Sequence, residues 1–307
     1  EWSSSNNFTT LQRFIPLISA LVWAITNRNE VVICKQTQFN DYVLYLFSFL
    51  GIKTIVSVDL EDFNYKDKKW EYCDIFICPT AHSLRYLENK GYNSTMQSYM
   101  GLDIEYFKFI KRNPSDILTF IHTAGHGGVG FRKSTPETVL AFHLASKINK
   151  KISLKILSQL PLNSYPKLIQ NTIEKSPSIK FIHTRSESNM EKYKENYSLY
   201  LDGDVAIQPS KWEGMGASVY EALTMGLPVL TVDDPPMNEY VTGARGFLVK
   251  PTSFLKIHLF HKVMNKDYDM ALVNISELSK KILEVYDNRH SVESKSINAR
   301  EFMLSFS

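Results

Sequence analysis

Short apolar runs alternate along this chain with stretches that carry a helical pattern. Val31–Cys34, Lys53–Val58, Asp74–Cys78 and Ser94–Ser98 predict strands. Between them, Asp41–Leu50 and Ala81–Asn89 predict helices, closed by Gly51 and Gly91. A polar stretch, Arg112-Asn113-Pro114-Ser115, then predicts a boundary. Beyond it come strand Ile117–Thr123, helix Pro136–Ile148, strand Ser153–Leu157, helix Ser164–Glu174, strand Ile179–His183 and helix Glu187–Asn196. A strand at Asp204–Gln208, a glycine turn, a helix and a strand entered through Gly226-Leu227-Pro228 follow. Gly246–Val249 and two terminal helices, about 270–286 and 290–304, complete the pattern. Continuous apolar strands separated by helices predict α/β architecture with doubly wound parallel sheets.

The chain has 307 residues, room for two domains of ordinary size. Apolar content of 44% and charged content of 22% are those of a soluble protein, and a net charge of +3 is too small to imply nucleic acid. Lysine clusters at Lys66, Lys68, Lys69 and at Lys147, Lys150, Lys151, Lys155 read as solvated faces, with a membrane-surface patch as the alternative. The apolar run Phe14–Ile25 is shorter than the roughly 20 residues of a spanning helix, and it predicts a buried helix. Cys34, Cys73 and Cys78 have no partners at zinc spacing, and an odd count argues against a disulfide framework. A reducing, cytoplasmic location is the simplest expectation, with peripheral contact with a membrane left open.

The most informative segment is Glu213-Gly-Met-Gly-Ala-Ser-Val-Tyr-Glu221, between a strand and a helix. A helix N-terminus offers unpaired N–H groups and a partial positive charge to an anion. Gly214 and Gly216 let a ligand approach the backbone. Glu221 cannot bind phosphate, but it suits a pair of sugar hydroxyls; a solvated, dipole-compensating Glu is the alternative. A second site follows strand Ile117–Thr123, where Gly125, Gly127, Gly128 and Gly130 form a loop and Arg132-Lys133 add two cations. That pair reads as a phosphate contact or as plain surface charge.

These residues resemble the Glu-x7-Glu signature of retaining glycosyltransferases of the GT-B fold, the glycosyl transferases group 1 type. Met215 stands where that family usually has Phe. The resemblance implies two Rossmann-like domains facing a cleft, the first shortened. It implies an acceptor-side domain over 1–113, a nucleotide-sugar domain over 114–289 and a terminal helix, 290–307, crossing back to the first. It further implies that Glu213 meets the transferred sugar and Glu221 the ribose, while Arg132 and Lys133 grip the diphosphate. Backbone N–H groups of Gly214, Met215, Gly216 and Ala217 would hold sugar hydroxyls and the distal phosphate. His183 and Thr184 occupy the position of a nucleobase contact, although a lone His at a strand end is more often structural. Gly127 and Gly128 belong to the donor loop.

The implied reaction moves a hexose from a UDP- or GDP-linked donor to a carbohydrate, lipid or protein acceptor with retention. It needs no cofactor, no metal and no protein nucleophile. Trp212 reads equally as a lid or as core, Ser210 as a loop-ordering residue and His82 as a helix-start residue. The acidic run Asp59, Glu61, Asp62 reads as a solvated loop. A nucleotide-sugar epimerase of the same fold and a non-catalytic donor-binding subunit are the competing readings.

Overall fold

The computed structural model describes residues 18–19, 21–23, 25–26, 30–35, 42–99, 101–112, 116–125, 131–184, 197–256 and 269–305. The loop glycines Gly127, Gly128 and Gly130, the whole of the helix read at 187–196 and half of the run 14–25 lie outside them. The chain forms two compact units, 1–99 with 258–268, and 100–257 with 269–307.

In the first unit, strands β1 (Val31–Lys35), β2 (Lys53–Ser57), β3 (Ile75–Cys78) and β4 (Thr95–Gln97) form a parallel sheet in sequence order. Helices α1 (Tyr42–Phe49) and α2 (Ala81–Asn89) connect them. Thr80 starts α2 through a reciprocal cap: its hydroxyl accepts from Ser83 N–H at 2.8 Å, and Ser83 Oγ accepts from Thr80 N–H at 3.1 Å. Gly91, at φ +90°, follows the helix end in a backbone conformation that suits glycine. Val32, Val43, Phe47 and Ile52 pack one small core. An aromatic group fills another, with Phe63 stacked on Trp70 at 5.0 Å and Phe76 edge-on to Tyr92 at 5.1 Å. Burial pushes the Cys73 thiol up to about 12 and Cys78 up to about 11, so both stay protonated and unreactive.

The second unit holds six parallel strands: β5 (Leu118–Gly125), β6 (Ile152–Ser158), β7 (Ile179–His183), β8 (Val205–Gln208), β9 (Val229–Val232) and β10 (Gly246–Val249). Helices α3 (Thr135–Ile148), α4 (Lys167–Glu174), α5 (Ala217–Thr224) and the short α6 (Met237–Tyr240) lie between them in sequence. The sheet order is β10-β9-β8-β5-β6-β7. The chain therefore winds outward from β5 to β7, then returns beside β5 and winds the other way. That reversal, between β5 and β8, opens a crevice at the carboxyl ends of the strands, where ligands of open α/β sheets bind. The central strands are buried on both faces, with every residue of β8 and β9 buried.

A two-stranded antiparallel ribbon, β11 (Ser253–Lys256) with β12 (Asp269–Leu272), precedes α7 (Ile275–Asp287) and α8 (Val292–Leu304). The helix read from about 270 thus begins later. Residues 269–272 pair with β11, Ala271 N–H donates to Lys211 O at 2.8 Å, and Asn274 caps α7 by accepting from Ser276 N–H. Likewise α4 starts after Pro166 rather than at Ser164. The second unit also begins at Met100, ahead of the boundary read at 113, because Phe107 and Arg112 are buried and Arg112 donates to carbonyls of residues 201 to 225.

Candidate functional site at the strand reversal

Two connections leave the reversal, and each carries one half of the site. From β8 the chain turns through Pro209-Ser210-Lys211-Trp212-Glu213-Gly214-Met215-Gly216 into α5. Gly216 adopts φ +81°, a left-handed conformation that a Cβ would strain even though no atom lies closer than 3.8 Å to its position. From β5 the chain reaches Phe131–Ser134 and then α3. Ser134 is left-handed at φ 54°, unusual for a residue with a side chain. Lys211 N–H donates to Arg132 O at 2.8 Å and ties the two connections together.

Glu213 is buried and meets both predicted cations. Lys133 Nζ donates to its Oε1 at 2.5 Å and Arg132 Nη1 to its Oε2 at 3.2 Å. Burial alone would raise the carboxyl pKa, but the two cations outweigh it and hold the group below the usual carboxylate range. One acid against two bases leaves a net positive charge beside the N-terminus of α5, where the first-turn N–H groups lack intrahelical partners. Lys133 Nζ also lies 3.5 Å from Ser218 Oγ, in that first turn. The arrangement suits an anion with several oxygens.

Glu221 is buried too, not solvated. It accepts from Tyr200 Oη at 2.8 Å, and the fully buried Tyr200 phenol is pushed well above its ordinary pKa by burial and by the Glu221 charge. Beneath this pair, Gln208 Nε2 donates to Thr123 Oγ1, which joins the ends of β8 and β5. Tyr200 and Thr123 carry no motif, so the sequence reading missed both.

His122 was also missed. Fully buried on β5, its Nδ1 lies 2.7 Å from Ile207 O and its Nε2 2.9 Å from Thr135 Oγ1. A carbonyl only accepts, so Nδ1 carries the proton and Nε2 accepts from the Thr135 hydroxyl. Burial, with a contribution from the Lys133 charge, lowers its pKa to about 4. The neutral ring braces β5 against β8 and against the start of α3, two residues beyond Lys133.

The remaining residues divide. His183 is exposed at the end of β7, while the neighbouring Thr184 is buried and donates its N–H to Ser158 O at 2.9 Å. Trp212 is buried, edge-on to Phe131 at 6.0 Å, which is the core reading. Ser210 is buried within the turn. Lys211, unremarked in the sequence, is buried against Glu137 Oε1 at 2.7 Å and over the Phe131 ring at 3.9 Å. His82 sits in the first turn of α2, in the first unit. Among the described residues no helix is long and apolar enough to cross a membrane.

A doubly wound sheet that brings a buried acid, two bases and a helix N-terminus to its reversal has the arrangement at which open α/β sheets receive anionic ligands. Residues 132–264, which hold most of that site, match the family model of glycosyl transferases group 1. No curated protein sequence matches the chain. Its structure is similar to a glycosyltransferase from Rickettsia africae ESF-5, with TM-score 0.71, 13% identity and coverage of 99% of this chain and 79% of that one. It is also similar to Anabaena Alr3699/HepE in complex with UDP and glucose, with TM-score 0.67, 16% identity and coverage of 98% and 80%. A third likeness is to TarM of S. aureus, with TM-score 0.66 and 14% identity. It covers 95% of this chain and 55% of that one, so the chain spans about half the length of that relative. These likenesses show the fold, α/β with parallel sheets as in GT-B glycosyltransferases.

Proposed function

We propose that this chain is a glycosyltransferase that takes a sugar from a UDP- or GDP-linked donor and passes it to an acceptor hydroxyl with retention of configuration. The observation that carries the reading is the buried Glu213 held between Lys133 and Arg132 at the N-terminus of α5. In this reading the second unit holds the donor and the first serves the acceptor. Arg132 and Lys133 meet the diphosphate, and the negative charge that develops on it as the glycosidic bond breaks is stabilised by cations already in place. Glu213 keeps both cations in position and faces the sugar. Glu221, oriented by Tyr200, accepts from the ribose hydroxyls. N–H groups of Gly214, Met215, Gly216 and Ala217 serve the sugar and distal phosphate, and Gly127, Gly128, His183 and Thr184 complete the donor contacts.

Retention follows if the departing phosphate oxygen takes the proton of the acceptor hydroxyl on the face from which it leaves. The new glycosidic bond then forms on that same face, and neither a protein nucleophile nor a metal is required. A family match over residues 132–264 and the UDP and glucose bound by the Anabaena relative support the reading.

A thermal-shift screen against nucleotide sugars tests it, since a ligand that binds only the folded state raises stability by mass action. One UDP- or GDP-sugar is expected to raise the Tm of the wild type and to do so less for Glu221→Ala. A panel that shifts nothing contradicts the reading. Conversion of the donor without acceptor would instead identify an epimerase.

A further inference from the structure

The far end of α5 is held by two arginines that no step of the proposed reaction uses. A helix leaves its last carbonyls without intrahelical partners. Here Arg300 Nη1, from α8, donates to Thr224 O at 2.8 Å and to Phe107 O at 3.0 Å, and its Nη2 to Ile104 O at 3.3 Å. Arg112 Nη2 donates to Met225 O at 3.4 Å, while its Nη1 takes Leu201 O at 3.1 Å and Gly203 O at 2.9 Å. Two backbone N–H groups join this brace: Arg112 N–H donates to Ser296 Oγ of α8 at 3.2 Å, and Ile110 N–H to Met225 O at 3.2 Å. The segment 104–112 is thereby bonded to both the end of α5 and α8. There is no slack at this end: a Cβ on Gly226 would come within 2.6 Å of the Phe109 ring.

The helix has only eight residues, and Met225 N–H donates to Glu221 O at 3.1 Å, so Glu221 lies one turn from the clamped carbonyls. A rod this short transmits any axial slip at its C-terminus to the N–H groups at its N-terminus. Cations at the C-terminus also complement the helix dipole.

We propose that Arg300 and Arg112 are positioning residues for the nucleotide-sugar site. They set the axial position of α5, so that Glu221 and the N-terminal amides meet the ligand in register. The proposal rests on α5 being the donor helix. Lysine keeps the charge but lacks the planar fork that reaches several carbonyls, so Arg→Lys separates position from charge.

The test titrates the full chain calorimetrically with UDP or GDP, whichever the wild type binds, and records Tm for each variant. Arg300→Lys is expected to weaken binding about tenfold, as displacement by a fraction of an ångström does in a preorganised site. Its loss of Tm should be no greater than that of Ile173→Val, a core change in α4 that is expected to bind like wild type. Arg112→Lys is expected to act in the same direction and replaces Arg300→Lys should that variant fail to fold. Wild-type affinity in the arginine variants, with affinity lost in Glu221→Ala, would show that they only stabilise and overturns the proposal. Wild-type affinity in Glu221→Ala as well would remove the donor-site reading and the proposal with it.

Discussion

The two sheets of this protein are built from the same parts and differ in one respect that decides where chemistry can happen. In the first unit the four strands follow sequence order, and burial alternates along β2 and β3, the pattern of a sheet with one buried face. In the second the order reverses between β5 and β8, and the central strands are buried on both sides. A reversal splits two connections apart and leaves a crevice. The acid, the bases and the helix N-terminus all lie on those two connections. The ion pairs differ in the same way. Lys35 and Asp59, 3.3 Å apart in the first unit, keep 51% and 28% of their side chains exposed, against 9% and 4% for Lys133 and Glu213. A charge pair at the surface is close to neutral energetically; a buried one obliges both partners to stay.

That contrast can be broken most forcefully at Glu213. Glu213→Ala leaves Lys133 buried without its carboxylate, and a chemical denaturation series should show a loss of about 3–5 kcal/mol with nucleotide-sugar turnover abolished. Lys35→Ala, the matching change in the first unit, should cost under about 1 kcal/mol in the same experiment.

Next in size is the pH response of His122. Its folded pKa, about 4, lies below the ordinary 6.5, so the folded state resists protonation. The stability it contributes is present above pH 6.5 and is lost as pH falls toward 4, on the order of 3 kcal/mol in all. Glu213, held low by its two cations, loses stability in the same direction at more acidic pH. His122→Asn should flatten the fall between pH 6.5 and 4; an unchanged profile would contradict the brace assigned to that ring.

Smaller effects sharpen the comparison at the backbone. Gly216→Ala forces a side chain into a left-handed conformation and should destabilise by about 1–2 kcal/mol. Ser134→Gly relieves the same kind of strain, and because the Ser134 side chain makes no cap bond, Tm should rise by the equivalent of up to about 1 kcal/mol. A chelator is expected to leave turnover unchanged, and loss of activity in EDTA would contradict the metal-free displacement.

Much of the second unit was legible because its signals are local. The glycine turn before α5, the paired cations after β5 and the apolar strands each declare themselves within a few residues. Glu221 was the harder case, since a Glu in a helix reads equally as solvated, and only Tyr200, distant in sequence, shows it buried. His122, Tyr200 and Thr123 act through partners on other strands and helices, and no spacing rule reaches between them. Lys211 drew no reading because Glu137 and Phe131, which close around it, lie about 75 residues or more away in sequence. The helix expected from residue 270 was overridden by a ladder to β11 and by the Asn274 cap, where strand pairing outweighed a helical pattern.

The account stands on two bases and one acid forming an anion site at the start of α5. Calorimetric titration of UDP and GDP into the wild type and into Lys133→Ala tests it most directly. One nucleotide is expected to bind the wild type and to bind the variant at least about tenfold more weakly, the loss of one charge-assisted hydrogen bond. Equal affinities, or no binding of either nucleotide to the wild type, would contradict it.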